Sequence, residues 1–78
     1  PNPVRDAFTI RFNKVKSGRY NLRLIGADGR SVMNNVDTVQ QGDSKLIGRP
    51  PGTTAGIYFL VIQSAATNDK KIIKLIFE

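Results

Sequence analysis

The sequence predicts an all-β fold, a sandwich of six or seven short strands. Three observations predict it. Apolar residues recur with a period of two in several segments, as in strands buried on one face. Turn signals separate these segments at intervals of about ten residues. No segment carries the 3.6-residue apolar period of an amphipathic helix.

The elements follow in order. Phe8, Ile10 and Phe12 alternate with Thr9 and Arg11, giving a first strand with one apolar face. Asn13 through Gly18 is a polar turn, and Tyr20, Leu22 and Leu24 alternate with Asn21 and Arg23 in a second strand. Gly26 through Arg30 turns the chain and Val32 to Val36 runs back. A two-residue loop of Asp28 and Gly29 would pair Ala27 with Arg30 and Leu24 with Met33, turning Val32 and Val36 away from Tyr20, Leu22 and Leu24. A loop of Ala27, Asp28 and Gly29 instead pairs Gly26 with Arg30, Leu24 with Val32 and Tyr20 with Val36, and the apolar pattern selects it because it keeps these residues on one face. That loop calls for a type I turn with Gly29 in the left-handed region, forming a bulge. Asn34 does not fit the apolar face so defined.

Gln40 through Ser44 reads as a turn and Lys45-Leu46-Ile47 as a short strand. Gly48-Arg49-Pro50-Pro51-Gly52 must be irregular, because two prolines remove two backbone donors. Gly56 opens Ile57 through Ile62, apolar on both faces and so the candidate central strand. Ala65 through Lys71 is a turn and Ile72 to Phe77 the final strand.

A chain of 78 residues has room for one core and no second domain. Its opening, Pro1-Asn2-Pro3, lacks an initiator Met and a signal segment, so residues 1–78 are expected to be one domain of a longer polypeptide. Hydrophobic residues at 40% and charged residues at 23% argue against disorder. With no cysteine, packing must hold the module together, and with no histidine the commonest general base and metal ligand are missing. The acids Asp28 and Asp43 sit in turns, where Asp serves its own backbone. Ser44 and Lys45, as neighbours in a strand, point to opposite faces and form no nucleophile–base pair. No catalysis, cofactor or metal is expected.

The net charge is +6, with seven basic and two acidic residues between Arg5 and Arg30. A solvated basic face accounts for this, and attraction to an acidic partner or anionic envelope surface is its functional reading.

Several landmarks occur in one order: Pro1-Asn2-Pro3-Val4 before Phe8-Thr9-Ile10, Tyr20-Asn21-Leu22-Arg23-Leu24 with Asp28-Gly29-Arg30, Ala55-Gly56-Ile57-Tyr58-Phe59-Leu60, and Lys74-Leu75-Ile76-Phe77. In this order they resemble the C-terminal sorting domain, type A (the Por secretion family), of proteins exported by the bacterial type IX secretion system. One departure is Thr53-Thr54, where the family usually carries a leucine just before the Ala-Gly. The resemblance implies an immunoglobulin-like sandwich. It also implies an upstream cargo domain that reaches the periplasm and then the cell surface or medium. The type IX translocon and outer-membrane shuttle proteins would recognise the domain, and a sortase-like peptidase would usually remove it.

Candidate recognition residues are Gly29, Gly56, Tyr58, Lys74, Leu75, Ile76 and Phe77. A last strand at a sheet edge offers backbone groups to a partner strand, whereas a last strand in the core is simply packing. Both readings stand for Ile72 through Phe77. Gly29 and Gly56 also read as turn and strand-opening residues, and Tyr58 as a core or corner residue whose hydroxyl meets a backbone group. Edge strands also make a dimer possible. Two rivals remain. A fibronectin-like accessory or carbohydrate-binding module needs exposed aromatics in a platform. A nucleic-acid-binding barrel needs Phe12 and Tyr20 outside, where alternation puts them inside.

Overall fold

The computed structural model describes residues 3–13 and 16–78. The readings at Pro1, Asn2, Lys14 and Val15 lie outside the described residues. Six strands form among the described residues: β1 (Ala7–Arg11), β2 (Gly18–Gly26), β3 (Ser31–Val39), β4 (Ser44–Gly48), β5 (Gly56–Ser64) and β6 (Lys70–Phe77). They make two antiparallel sheets, one of four strands in the order β3-β2-β5-β6 and one pairing β1 with β4. The chain is therefore an all-β sandwich, as the period of two predicts. β5 lies between β2 and β6, the central position expected of its continuous apolar run.

Alternation builds the core. Phe8, Ile10 and Phe12 from the β1 segment and Ile47 from β4 face Tyr20, Leu22 and Leu24 of β2, Tyr58, Leu60 and Ile62 of β5, and Leu75 and Phe77 of β6. Leu22 and Leu24 are fully buried. Thr9, Arg11, Asn21 and Arg23 point outward. Ser44 is exposed, while Lys45 turns inward and ion-pairs with Asp37 of the facing sheet.

The β2–β3 turn forms as expected. Gly29 donates its amide to the Gly26 carbonyl (2.9 Å), Gly26 donates to the Arg30 carbonyl (2.8 Å), and Gly29 sits at φ 88°. The Asp28 carboxylate accepts from the Arg30 amide and that of Asp43 from the Gln40 amide, so both acids serve their turns.

Beyond this turn the expected register is wrong. Ile25 pairs with Ser31, but Leu24 pairs with Met33 and Tyr20 with Asp37, so Val32 is an extra residue in a bulge. The bulge reverses which β3 side chains face inward. Met33 and Val39 gain the core side, Asp37 reaches Lys45, and Val36 is left 59% exposed opposite Asn21. On an edge strand this exchange is favourable, because two apolar side chains and an ion pair replace one valine. Asn34, the misfit of the simpler register, stands outside opposite Arg23.

Leu22→Ala should lower unfolding free energy by about 2–5 kcal/mol, the usual range for a buried leucine. Leu46→Ala, at a side chain 72% exposed, should change it by less than about 0.5 kcal/mol. Urea unfolding followed by circular dichroism measures both.

Candidate recognition site

The last strand alternates. Leu75 and Phe77 point inward and are buried, whereas Lys74 and Ile76 lie on the outer face of the four-stranded sheet and are exposed. β6 has β5 on one side and ends the sheet order, so it is both an edge strand and a source of core side chains. Leu75 and Phe77 are thus core residues, and Lys74 and Ile76 are the outward residues of the strand.

Phe77 is the packing centre of this end. Its ring stacks on Tyr58 (centroids 4.3 Å apart) and meets Phe8 of the other sheet at 6.4 Å. The Tyr58 hydroxyl donates to the Thr54 carbonyl (2.8 Å), the backbone partner a buried tyrosine requires. Tyr20 does the same at the start of β2, donating to the Lys16 carbonyl (2.6 Å).

The segment before β1 closes over the outer edge of β6. Val4 forms a parallel bridge with Phe77, its amide donating to the Ile76 carbonyl (2.7 Å) and its carbonyl accepting from the Glu78 amide (2.9 Å). Arg5 adds an ion pair to Glu78, but both side chains are largely exposed and water screens it.

Arg49 fastens this arrangement. Its Nε donates to Thr53 Oγ1 (3.0 Å), Nη2 to the Thr53 carbonyl (3.1 Å), and Nη1 to the carbonyls of Arg5 (3.1 Å) and Glu78. The guanidinium carbon lies 4.8 Å from the centroid of the Phe77 ring. One planar fork thus joins the opening segment, the proline loop and the last strand, which a lysine could not reproduce. In the sequence Arg49 reads only as part of an irregular loop. The signal available was a lone cation among Pro and Gly residues, with Thr53 four positions on. Thr53 itself makes polar contacts on both sides. It accepts from Arg49 and donates to the Pro50 carbonyl (2.9 Å).

The glycines stand at the loop end. A cavity of about 530 Å³ opens between the Gly26–Arg30 turn and residues 51–58, with Asp28, Arg30, Gly56 and Tyr58 on its walls. Gly56 adopts φ 149° and Gly29 φ 88°, conformations that L side chains rarely take, and a Cβ at either would meet open space. Their requirement is therefore backbone conformation. The structure brings Gly56, Tyr58 and Phe77 to one end of the sandwich, with Gly29 exposed in the neighbouring turn.

The aromatics bear on the rival readings. Phe8, Phe12, Tyr20, Tyr58 and Phe77 are buried, and Phe59 is half-buried on the outer sheet face. A row of exposed rings for sugar or base stacking is not formed among the described residues.

Arg49→Met should lower unfolding free energy by roughly 1.5–3 kcal/mol, as for lost charged hydrogen bonds, and Arg49→Lys should recover little of it. Amide hydrogen exchange at Val4 and Glu78 should accelerate in both variants, and unchanged protection there would refute the fastening role.

Comparison with known proteins places these observations in a family. A family model described as "Secretion system C-terminal sorting domain" matches residues 1–78, the whole chain. No curated protein and no solved structure gives a significant match. Such a domain is a sorting signal rather than a catalytic unit; it engages the secretion machinery and directs export to the cell surface or extracellular space. The chain belongs to the family of C-terminal sorting domains of type IX secretion cargo.

Proposed function

We propose that residues 1–78 form the single C-terminal domain of a larger secreted protein and that the type IX translocon reads it chiefly at β6. The cargo crosses the periplasm with this domain attached. Outer-membrane shuttle proteins then receive it, and a sortase-like peptidase removes the domain at the surface. The domain acts as a ligand and catalyses nothing. A chain without histidine supports this, as do turn acids whose carboxylates are taken up by backbone amides.

The observation that carries the reading is the division of labour along β6. Lys74 and Ile76 present a cation and an apolar surface on the outer sheet face, beside Phe59 and Ile57 of β5. Leu75, Phe77 and Tyr58 hold that strand from beneath. A receptor that meets many cargoes gains from such an arrangement, because a strand supplies regular geometry while side-chain pockets supply discrimination. Gly29 and Gly56 shape the loops at the same end and act through backbone conformation.

The test is a reporter fusion, with residues 1–78 placed behind a periplasm-targeted fluorescent protein in a bacterium possessing a type IX system. The native fusion should reach the surface or medium and stay periplasmic in a translocon-deficient strain. Lys74→Glu combined with Ile76→Ser should abolish export while the melting temperature changes by less than about 4 °C, as expected for exposed positions. Phe77→Ala should lose export and stability together. Export that survives the outward pair, and fails only in variants that melt, would refute recognition at β6.

A further inference from the structure

The four-stranded sheet has two edges, and the chain treats them differently. β6 is blunted in the usual ways: Lys70, Lys71 and Lys74 lie along it and Val4 already bonds its end. At the other edge β3 pairs with β2 alone and has no strand on its far side among the described residues. Ser31–Val39 contains no lysine, arginine or proline. Its one charge, Asp37, turns inward to Lys45. Long, uncharged edges of this kind present unpaired backbone donors and acceptors and are normally covered.

We propose that β3 pairs antiparallel with β3 of a second copy of this chain, about a two-fold axis at Val36, making one continuous sheet across the dimer. The register follows from two boundaries. The bulge at Val32 ends regular pairing on one side, and the chain leaves the strand after Val39 on the other. The straight run between them is Met33–Val39, and its midpoint is Val36.

This register is self-complementary. Val36 meets Val36 of the partner, covering a side chain that is 59% exposed in the single chain. Asn34 stands opposite Thr38 of the partner on the outer face. On the inner face Met33 stands opposite Val39 of the partner, and Asn35 opposite Asp37 of the partner. Each pair joins like with like, apolar with apolar and hydrogen-bonding with hydrogen-bonding.

Charge favours the same edge. Arg23 and Arg19 flank Asn34 and Thr38 on β2. In the dimer, Arg23 of one copy and Arg19 of the other are separated by three strand spacings, about 14 Å. That exceeds the screening length of about 8 Å at physiological salt. A two-fold pairing of β6 centred on Ile72 or on Lys74 would instead set lysine directly against lysine. The dimer reading stands apart from the export reading, since it concerns the opposite edge of the sheet and is measured without a translocon.

The test uses the chain's lack of cysteine. Val36→Cys introduces a single thiol on the axis, where directly opposed strand residues have Cα atoms about 4.5–5.5 Å apart, within disulfide range. Asn34→Cys places its thiol opposite Thr38 instead. Under mild oxidation Val36→Cys should form disulfide-linked dimers at least about tenfold faster than Asn34→Cys. In sedimentation equilibrium Val36→Lys, which sets like charges on the axis, should weaken dimerisation by at least about tenfold. Equal cross-linking rates, or a dimer indifferent to Val36→Lys, would overturn the proposal and point to another edge or to an exchange of strands. A chain that stays monomeric and cross-links at equal rates would mean that β3 accepts no second copy.

Discussion

The ring of Phe77 is the joint on which the rest of the structure depends. It stacks on Tyr58 within its own sheet, touches Phe8 of the facing sheet, and lies beneath the guanidinium of Arg49. Without it the two layers would lose their contact at the end where both ends of the described chain meet. A small sandwich without disulfides has few such joints, and buried aromatics supply most of their energy through area removed from water. The charged fork above the ring then fixes the loop and the opening segment around a strand already held by packing.

The strands were legible because alternation records burial directly. Phe8, Ile10 and Phe12, or Tyr20, Leu22 and Leu24, show one face of a pleat whatever lies opposite. The turn at Gly29 was equally legible, since Asp-Gly at that spacing specifies its geometry. The remainder of β3 was not. The apolar pattern favours the register that turns Val32 and Val36 inward, and the bulge at Val32 lets the chain begin in that register and continue in the other. Asn34 was the visible trace of this, a polar residue out of phase with its neighbours.

The candidate site was legible in part for the same reason. The sequence names Tyr58, Leu75 and Phe77 as recognition candidates, and alternation sets them on the core side, apart from Lys74 and Ile76 on the outer face, once the strand is known. Arg49 left a weaker trace, a lone cation in a loop of Pro and Gly residues. Beside Thr53 Oγ1 and the Phe77 ring, its partners are the carbonyls of Arg5, Thr53 and Glu78, and backbone carbonyls are the same in every sequence. A side chain that binds mostly main chain leaves little for a reading of residue types to find.

The pairing of Val4 with Phe77 has a kinetic consequence. β1 finds its partner in β4, β2 bonds β5, and the opening segment bonds the last strand, so native contacts join distant parts of the chain. Such topologies close slowly, over roughly milliseconds to seconds, because loop closure precedes its reward. A chain emerging from its N-terminus must wait for Phe77 before Val4 has anything to bond. The sandwich is therefore completed late, once the last strand is in place to receive the opening segment.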